Sequence, residues 1–175
     1  MDIDVKKAIA ELDLILNKKG SSYTLFICGG ASLIFLGYDG RRTGDVDIIE
    51  QEIDKILSDA SNEVSKKLKI PTDWLNNKVT PLGDRLGKNW KSKSVELFKG
   101  QSLTLMSISR QDLINSKLHA AVDRKAKDYK DLIWLKPTLK ELKTAQVYAL
   151  KQSNTETYGV FVNAYVQELI NDLGL

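Results

Sequence analysis

A single cysteine and a single histidine limit the chemistry open to this chain of 175 residues. There is no second cysteine to form an internal disulfide with Cys28, and one residue of each type cannot build a zinc cluster of Cys and His ligands. We therefore do not expect His119 to be a metal ligand. Cys28 ends a short apolar run, and we expect it in the core rather than as a nucleophile.

Apolar residues never form a run close to the roughly 18 that a membrane span requires. The first residues, 1–7, are acidic and then basic, without the apolar core of a signal peptide. Hydrophobic residues make up 42% of the chain and charged residues 28%, which are ordinary values for a globular domain. We expect a folded cytoplasmic protein with no membrane partner.

An excess of one charge is also missing, because the formal net charge is only +3. This balance excludes a polycation that coats nucleic acid along its whole length. Basic residues do cluster between 66 and 99, where few carboxylates fall. A lysine-rich solvated surface is the simplest explanation of this cluster, and a surface for a polyanion is the alternative.

The spacing of apolar residues predicts an α+β fold with a helical tail. Helices are predicted at 2–18, 31–36, 53–68, from 109 or 112 through 122, at 128–135, at 138–151 and from 154 or 155 to 173. Strands are predicted at 23–28, 45–49, 95–98 and 103–108, with the last two forming a hairpin. Residues 72–76 are predicted to form a capped single turn, and 77–93 a polar loop. Strands and helices do not alternate regularly, which argues against a doubly wound parallel fold.

Two aspartates, Asp45 and Asp47, are separated by one residue in a predicted strand. Side chains two residues apart point to the same face of a strand, so these carboxylates should lie side by side. Their repulsion makes double ionisation costly unless a cation sits between them, and Mg²⁺ takes such oxygen ligands together with water and substrate phosphates. A third carboxylate on a neighbouring strand would complete the cage, and Glu96 is the best-placed candidate.

Two glycines, Gly29 and Gly30, lie where a predicted strand ends and a helix begins. Backbone N–H groups at such a turn can approach an anion closely, and Ser32 adds a hydroxyl in the first helical turn. A triphosphate bound there would have its metal on Asp45 and Asp47. Either motif alone is common, but the two in this order and spacing are considerably more specific.

Gly29-Gly30 followed by Asp45-Val46-Asp47 resembles the signature of the nucleotidyltransferase superfamily. Residues 41–47, Arg-Arg-Thr-Gly-Asp-Val-Asp, resemble more narrowly the Arg-x-Ser/Thr-x-Asp-x-Asp form of AbiEii-like proteins. Downstream, residues 117–120 and 127–132 are similar to the Lys-Leu-x-Ala and Arg-Asp-x-x-Asp-Leu segments of that group, with Lys127 where arginine is more usual. Residues 70–76 also look like a segment common in small stand-alone members, so the resemblance spans roughly 22–136.

The resemblance implies a small mixed sheet flanked by helices in a nucleotidyltransferase-like domain at 1–136, with residues 137–175 as a C-terminal helical extension packed on it. It implies that Asp45 and Asp47 hold Mg²⁺, or Mn²⁺ in its place. The expected nucleotide-binding residues belong to the two motifs: Gly29, Gly30, Ser32, Arg41, Thr43, Lys117 and Asp128. By spacing, Lys117, Arg124 and Asp128 could share one face of a continuous helix, and the alternative is an exposed helix with an Arg124–Asp128 ion pair.

The expected activity is transfer of a nucleoside monophosphate from an NTP to an acceptor hydroxyl. Asp45 and Asp47 would be catalytic through the metal, and Glu96 would deprotonate the acceptor. If the chain acts like AbiEii-type toxins, the acceptor is RNA, in particular tRNA, or a protein side chain, and an antitoxin is a partner. Two alternatives stay open: a catalytically degenerate nucleotide-binding or protein-interaction module of the same fold, and a plain RNA-binding domain that needs neither aspartate.

Overall fold

The structure, a computed structural model, describes residues 1–50, 52–124, 126–153 and 155–175, with the side chains of 123, 124 and 126 excepted. It divides into two compact units, Met1–Ser109 and Arg110–Leu175. The strands of the described chain all lie in the first unit, and the second unit is helical. The α+β fold class predicted from the sequence is confirmed.

The first unit is a mixed five-stranded sheet with helices. Its elements are α1 (Val5–Lys18), β1 (Tyr23–Cys28), α2 (Gly29–Phe35), β2 (Val46–Ile48), α3 (Lys55–Leu68), β3 (Leu75–Asn76), α4 (Pro81–Arg85), a 3₁₀ turn (Lys91–Lys93), β4 (Val95–Lys99) and β5 (Leu103–Ser107). The strand order is β3-β2-β1-β5-β4. β1 runs parallel to β5 and antiparallel to β2, β3 runs parallel to β2, and β4 and β5 form the predicted antiparallel hairpin.

The core of the first unit lies on one face of this sheet. Alternate residues of the two central strands, such as Leu25 and Leu105, are fully buried there, and α1 and α3 contribute apolar side chains to the same cluster. Trp74 is fully buried in this cluster, and its Nε1 donates to the carbonyl of Ser61 at 3.1 Å. Phe26 alternates with these core residues and therefore points to the opposite face, where its ring centroid lies 5.2 Å from that of Trp90.

The second unit consists of α5 (Arg110–Arg124), α6 (Ala126–Leu135), α7 (Leu139–Leu150) and α8 (Glu156–Leu173). α5 packs against each of the other three helices. α7 begins with a capping box between Thr138 and Glu141, and Arg110 donates to Glu141 at 2.8 Å and to the carbonyl of Leu135 at 2.7 Å. These bonds hold the connection between α6 and α7 against the start of α5.

Within the described chain, none of the helices combines the length and apolarity that crossing a membrane demands.

The structure corrects several predicted boundaries. α2 begins at Gly29 rather than at residue 31, so both glycines belong to its first turn. Residues 72–76 do not form only a turn, because Leu75–Asn76 pairs with β2 as a strand, and a short helix and a 3₁₀ turn lie within the predicted loop 77–93. The compact units separate after Ser109, because α5 and α6 pack with α7 and α8 as one helical group. The division into domains at 1–136 and 137–175 stays a prediction.

A buried carboxylate of α1 holds the tip of the β4–β5 hairpin. Asp13 is only 6% exposed, and its Oδ1 accepts from the backbone N–H groups of Ser102 and Leu103, both at 2.8 Å. Its Oδ2 accepts from the N–H of Gln101 at 3.1 Å. At Gly100 an added Cβ would lie 2.3 Å from the same carboxylate, so only glycine fits there. One side chain thus joins the first helix to the last two strands.

We expect Asp13→Ala to lower the free energy of unfolding by about 3 kcal/mol, because two buried N–H groups and one partly buried N–H group lose a charged acceptor. Urea unfolding of the purified protein measures this loss. The matched control is Asp59→Ala, which removes an exposed carboxylate paired with Lys55 at 2.7 Å and should leave the unfolding midpoint close to that of the wild type. Equal losses in the two variants would contradict the role given to Asp13.

Candidate functional site

The two aspartates of the predicted metal pair lie at the start of β2. Val46 and Ile48 are fully buried in the core, so Asp47, between them, and Asp45, just before, are directed to the opposite face by the alternation of the strand. Both aspartates are partly exposed. The buried Thr43 donates from Oγ1 to Asp45 Oδ1 at 3.0 Å and so orients that carboxylate.

The glycine turn lies directly beside Asp47. Cys28, the last residue of β1, pairs with Asp47 across the antiparallel ladder. Gly29 follows at φ +73°, a left-handed conformation that favours glycine, and an added Cβ would lie 3.3 Å from Asp47 Oδ2. The two motifs that the sequence analysis joined are therefore adjacent in space, and the backbone at Gly29 faces the carboxylate without a side chain between them.

The arginine of the upstream motif reaches the second glycine. A Cβ added at Gly30 would lie 2.9 Å from Arg41 Nη2 and 3.2 Å from Thr43 Cβ. Arg41 also donates to the carbonyl of Arg42. Five of the predicted site residues from the first unit thus form one group with Asp45: Gly29, Gly30, Arg41, Thr43 and Asp47.

Within the described chain, Ser32 makes no hydrogen bond with this group. Its side chain is fully buried, and its Oγ has no hydrogen-bond partner. α2 has only seven residues, and four consecutive residues of its first half, from Gly30 to Leu33, are buried. The sequence placed Ser32 correctly in the first turn, but periodicity did not show which side of so short a helix is buried.

Glu96 lies too far away to complete the metal cage. It is exposed on the edge strand β4, and β5 and β1 lie between β4 and the aspartates on β2. Three strand spacings of about 4.8 Å put the strands about 14 Å apart across the sheet. Among the described residues, no group of three or more His, Cys, Asp or Glu side chains could hold a metal ion. The expectation that Glu96 is the third carboxylate is therefore corrected.

The sequence analysis missed that Asn76 lies beside Asp47 and that Lys78 follows two residues later. β3 places Asn76 next to Asp47, and Asn76 Oδ1 accepts from the backbone N–H of Lys78 at 3.0 Å. Lys78 Nζ pairs with Asp73 Oδ2 at 2.9 Å. The hydrogen bond and charge of Asp73 raise the pKa of Lys78, and Asp45 and Asp47 raise it further. The segment 70–76 was noticed in the sequence, but a strand of two residues shows no periodicity that would have revealed its neighbours.

The downstream motif forms a closed ion cluster in the second unit. Lys117 Nζ lies 2.8 Å from Asp128 Oδ1 and 2.6 Å from Asp131 Oδ2. Lys117 is 5% exposed and Asp131 1%, so the ammonium is enclosed by its two partners. The side chain of Arg124, predicted to share this face, lies outside the described residues. The structure thus brings Lys117 and Asp128 together, with the ammonium already engaged by carboxylates.

Comparison with known proteins gives a family and a related fold for this chain. Residues 4–169 match the family described as nucleotidyltransferase of unknown function (DUF6036). The chain belongs to this nucleotidyltransferase family. It is also similar to the crystal structure of an antigenic nucleotidyltransferase-like protein from Paracoccidioides brasiliensis, with a TM-score of 0.50 and 14% identity over 95% of each chain. At that identity the likeness shows the fold, which confirms the predicted one. A comparison with curated proteins finds no match.

The family assignment supports the broader of the two resemblances drawn from the sequence. Membership of a nucleotidyltransferase family agrees with the Gly-Gly and Asp-x-Asp motifs, and the fold is shared along almost the whole chain. The narrower AbiEii-like affiliation stays a prediction. The group around Asp45 and Asp47 is therefore the candidate site of this nucleotidyltransferase-family chain.

We expect Gly29→Ala to destabilise the protein by about 2 kcal/mol and Gly20→Ala by about 1 kcal/mol. Both glycines have positive φ, but a Cβ at Gly20 would meet no atom within 4 Å, whereas at Gly29 it presses on Asp47 Oδ2. The difference between the two variants in urea unfolding isolates this contact. Equal losses would argue against the close approach of Gly29 to Asp47.

Lys117→Met should lower the free energy of unfolding by about 3–5 kcal/mol, because it leaves two carboxylates buried without a cation. The control is Lys130→Met on the exposed surface of α6, which should change stability by less than about 0.5 kcal/mol. Thermal and urea unfolding measure both. A Lys117→Met protein of wild-type stability with weakened nucleotide binding would instead support direct phosphate contact.

Proposed function

We propose that the chain is a metal-dependent nucleotidyltransferase that moves a nucleoside monophosphate from an NTP to an acceptor hydroxyl. The observation that carries this proposal is the adjacency of Gly29 to the partly exposed Asp47, in a chain that belongs to a nucleotidyltransferase family. The glycine backbone and the carboxylate pair are the two parts that a metal-bound triphosphate needs within reach of each other.

The residues present fit a magnesium or manganese ion. Asp45 and Asp47 supply oxygen ligands on one face of β2, and Thr43 orients the first of them. Mg²⁺ is commonly held by one or two carboxylates, with substrate phosphates and water completing its shell, so a pair without Glu96 is a sufficient donor set. A bound metal would neutralise part of the negative charge on the reacting phosphates.

The other residues of the group would position the nucleotide. Arg41 places a guanidinium against the backbone at Gly30, where a phosphate approaching the turn meets both a cation and N–H donors. The acceptor oxygen forms a bond to the α-phosphorus as the bond to the pyrophosphate oxygen breaks. Glu96 is far from the pair, so in this proposal the acceptor's proton passes to solvent.

The acceptor we propose is RNA, with a protein side chain as the other class. Nine basic side chains between 66 and 99 are exposed on the first unit: Lys66, Lys67, Lys69, Lys78, Arg85, Lys88, Lys91, Lys93 and Lys99. Lys67, Lys78 and Lys91 are paired with carboxylates, and the positive charge exposed at the other positions favours a polyanionic acceptor. The AbiEii-like resemblance adds the proposal of a toxin, with tRNA as the acceptor and an antitoxin as its partner.

A second function is favoured by one observation, the separation of Glu96 from the aspartate pair. Without a third carboxylate nearby, the fold could serve as a nucleotide-binding module in which transfer has been lost. Such a module would bind nucleotide with metal and show no turnover. The two proposals therefore agree on the site and differ in the product.

Asp45→Ala/Asp47→Ala should weaken metal-dependent NTP binding at least about tenfold, because the ligands of the metal are removed. Calorimetry with ATP, GTP, CTP and UTP, each with and without Mg²⁺, measures the change. Glu96→Ala should bind as the wild type does. Equal weakening by Glu96→Ala, or unchanged binding in the double variant, would contradict the proposed site.

Transfer from labelled NTP to RNA or to total protein then separates the two functions. Labelled product from the wild type, lost in the Asp45→Ala/Asp47→Ala variant, supports the enzyme. Binding that depends on Asp45 and Asp47 without any labelled product supports the degenerate module.

A further inference from the structure

The edge strand β3 places an amide beside the candidate site. Asn76 pairs with Asp47 in the parallel β2–β3 ladder, and the pair before it, Val46 and Leu75, is buried in the core. Successive residues of a strand point to opposite faces, and paired residues of neighbouring strands point to the same face. Asp47 and Asn76 therefore both point to the face of the sheet opposite to the core. Asp47 has Gly29 on the side of β1 and Asn76 on the side of β3.

The amide of Asn76 has one atom engaged and one atom without a partner. Its Oδ1 accepts from the backbone N–H of Lys78 at 3.0 Å. Because an N–H needs an acceptor, this bond decides which atom of the amide is the oxygen. Asn76 is 6% exposed, and its Nδ2 is buried with no hydrogen-bond partner among the described residues. A buried donor left unpaired costs about 1–3 kcal/mol, and an acceptor that arrives with a ligand would remove that cost.

Position 76 is also where a third metal ligand could lie. Neighbouring strands are about 4.8 Å apart, so a side chain at this position starts close to an ion held by Asp47, whereas Glu96 lies three strand spacings away. The chain has a neutral amide there and not a carboxylate. The negative charge available to a metal is therefore that of Asp45 and Asp47, until the phosphates of a nucleotide add their own.

We propose that Asn76 is a substrate-binding residue of the Asp45–Asp47 site, and that its Nδ2 donates to a phosphate oxygen of the metal-bound nucleotide. This inference rests on the proposed function, because it takes Asp45 and Asp47 as the metal ligands. Asp47 adjoins the amide in the free chain, so its carboxylate must turn toward the metal for a phosphate oxygen to reach Nδ2. The bond formed there is strengthened by the charge of the phosphate and by the exclusion of water. The amide thus favours the metal with its nucleotide over the metal alone.

The first measurement is binding of Mn²⁺ alone, followed by the electron paramagnetic resonance signal of the free ion. Asn76→Asp should tighten binding at least about tenfold, because it adds a third carboxylate beside Asp47 and keeps an oxygen to accept from Lys78. The matched control is Asn77→Asp, which adds the same charge one residue later at an exposed position and should change binding at most about twofold. Equal Mn²⁺ affinities of these two variants would overturn the inference.

The second measurement is binding of tripolyphosphate by calorimetry, in an excess of Mg²⁺. Asn76→Ala should weaken it at least about tenfold and leave the affinity for Mn²⁺ alone within about twofold of the wild type, because a donor is lost and no metal ligand is removed. Asn76→Asp should weaken it as well, since its carboxylate repels the phosphates. Asn76→Asp keeps the bond from Lys78, so it still tests the inference if Asn76→Ala fails to fold, which unfolding curves show.

The two measurements together separate this inference from the proposed function. Tighter Mn²⁺ binding in Asn76→Asp, with weaker tripolyphosphate binding in each folded variant at position 76, supports the inference. Tripolyphosphate binding that is absent from the wild type, or unchanged in those variants, overturns the inference and spares the proposed function. Mn²⁺ binding that is absent, or indifferent to Asp45→Ala/Asp47→Ala, overturns both.

Discussion

The antiparallel pairing of β1 with β2 is the contact on which the candidate site depends. It places Cys28 opposite Asp47. Because Gly29 is bonded to Cys28, the backbone of Gly29 also lies beside the Asp47 carboxylate. A slip of one residue in this register would turn Asp47 into the core and Val46 out of it. The burial of Val46 and Ile48 therefore fixes the direction of the two acidic side chains. Packing energy and site geometry depend on the same short strand.

Local patterns predicted the parts of the site that follow from one strand and one turn. The alternation through 45–48 predicted which face Asp45 and Asp47 share, and Gly29 was predicted at the strand–helix junction where it lies. Glu96 could not be placed in this way, because a strand's own period does not reveal its order in the sheet. Asn76 and Lys78 were missed for a related reason. A strand of two residues is defined by its partner and not by its own sequence.

Burial explains the remaining differences between sequence and structure. The sequence showed that Lys117 and Asp128 belong to one motif, but not that the helices of the second unit enclose them with Asp131. Ser32 is similar, since the helix that carries it is too short for its buried side to be read from periodicity. In both cases the residue type predicts a polar contact. Tertiary packing decides whether the side chain makes that contact with a ligand or within the protein interior.

The hairpin tip held by Asp13 has a consequence for how this family can vary. Gly100 lacks space for a side chain only because the Asp13 carboxylate occupies it, and the carboxylate is needed only because the tip exposes three N–H groups toward it. The two positions are far apart in the chain, but a side chain at position 100 would occupy the space that the Asp13 carboxylate fills. Relatives with a side chain at position 100 should therefore lack the acid at position 13. Such paired substitutions at positions 13 and 100 would identify relatives in which α1 contacts the β4–β5 hairpin through different side chains.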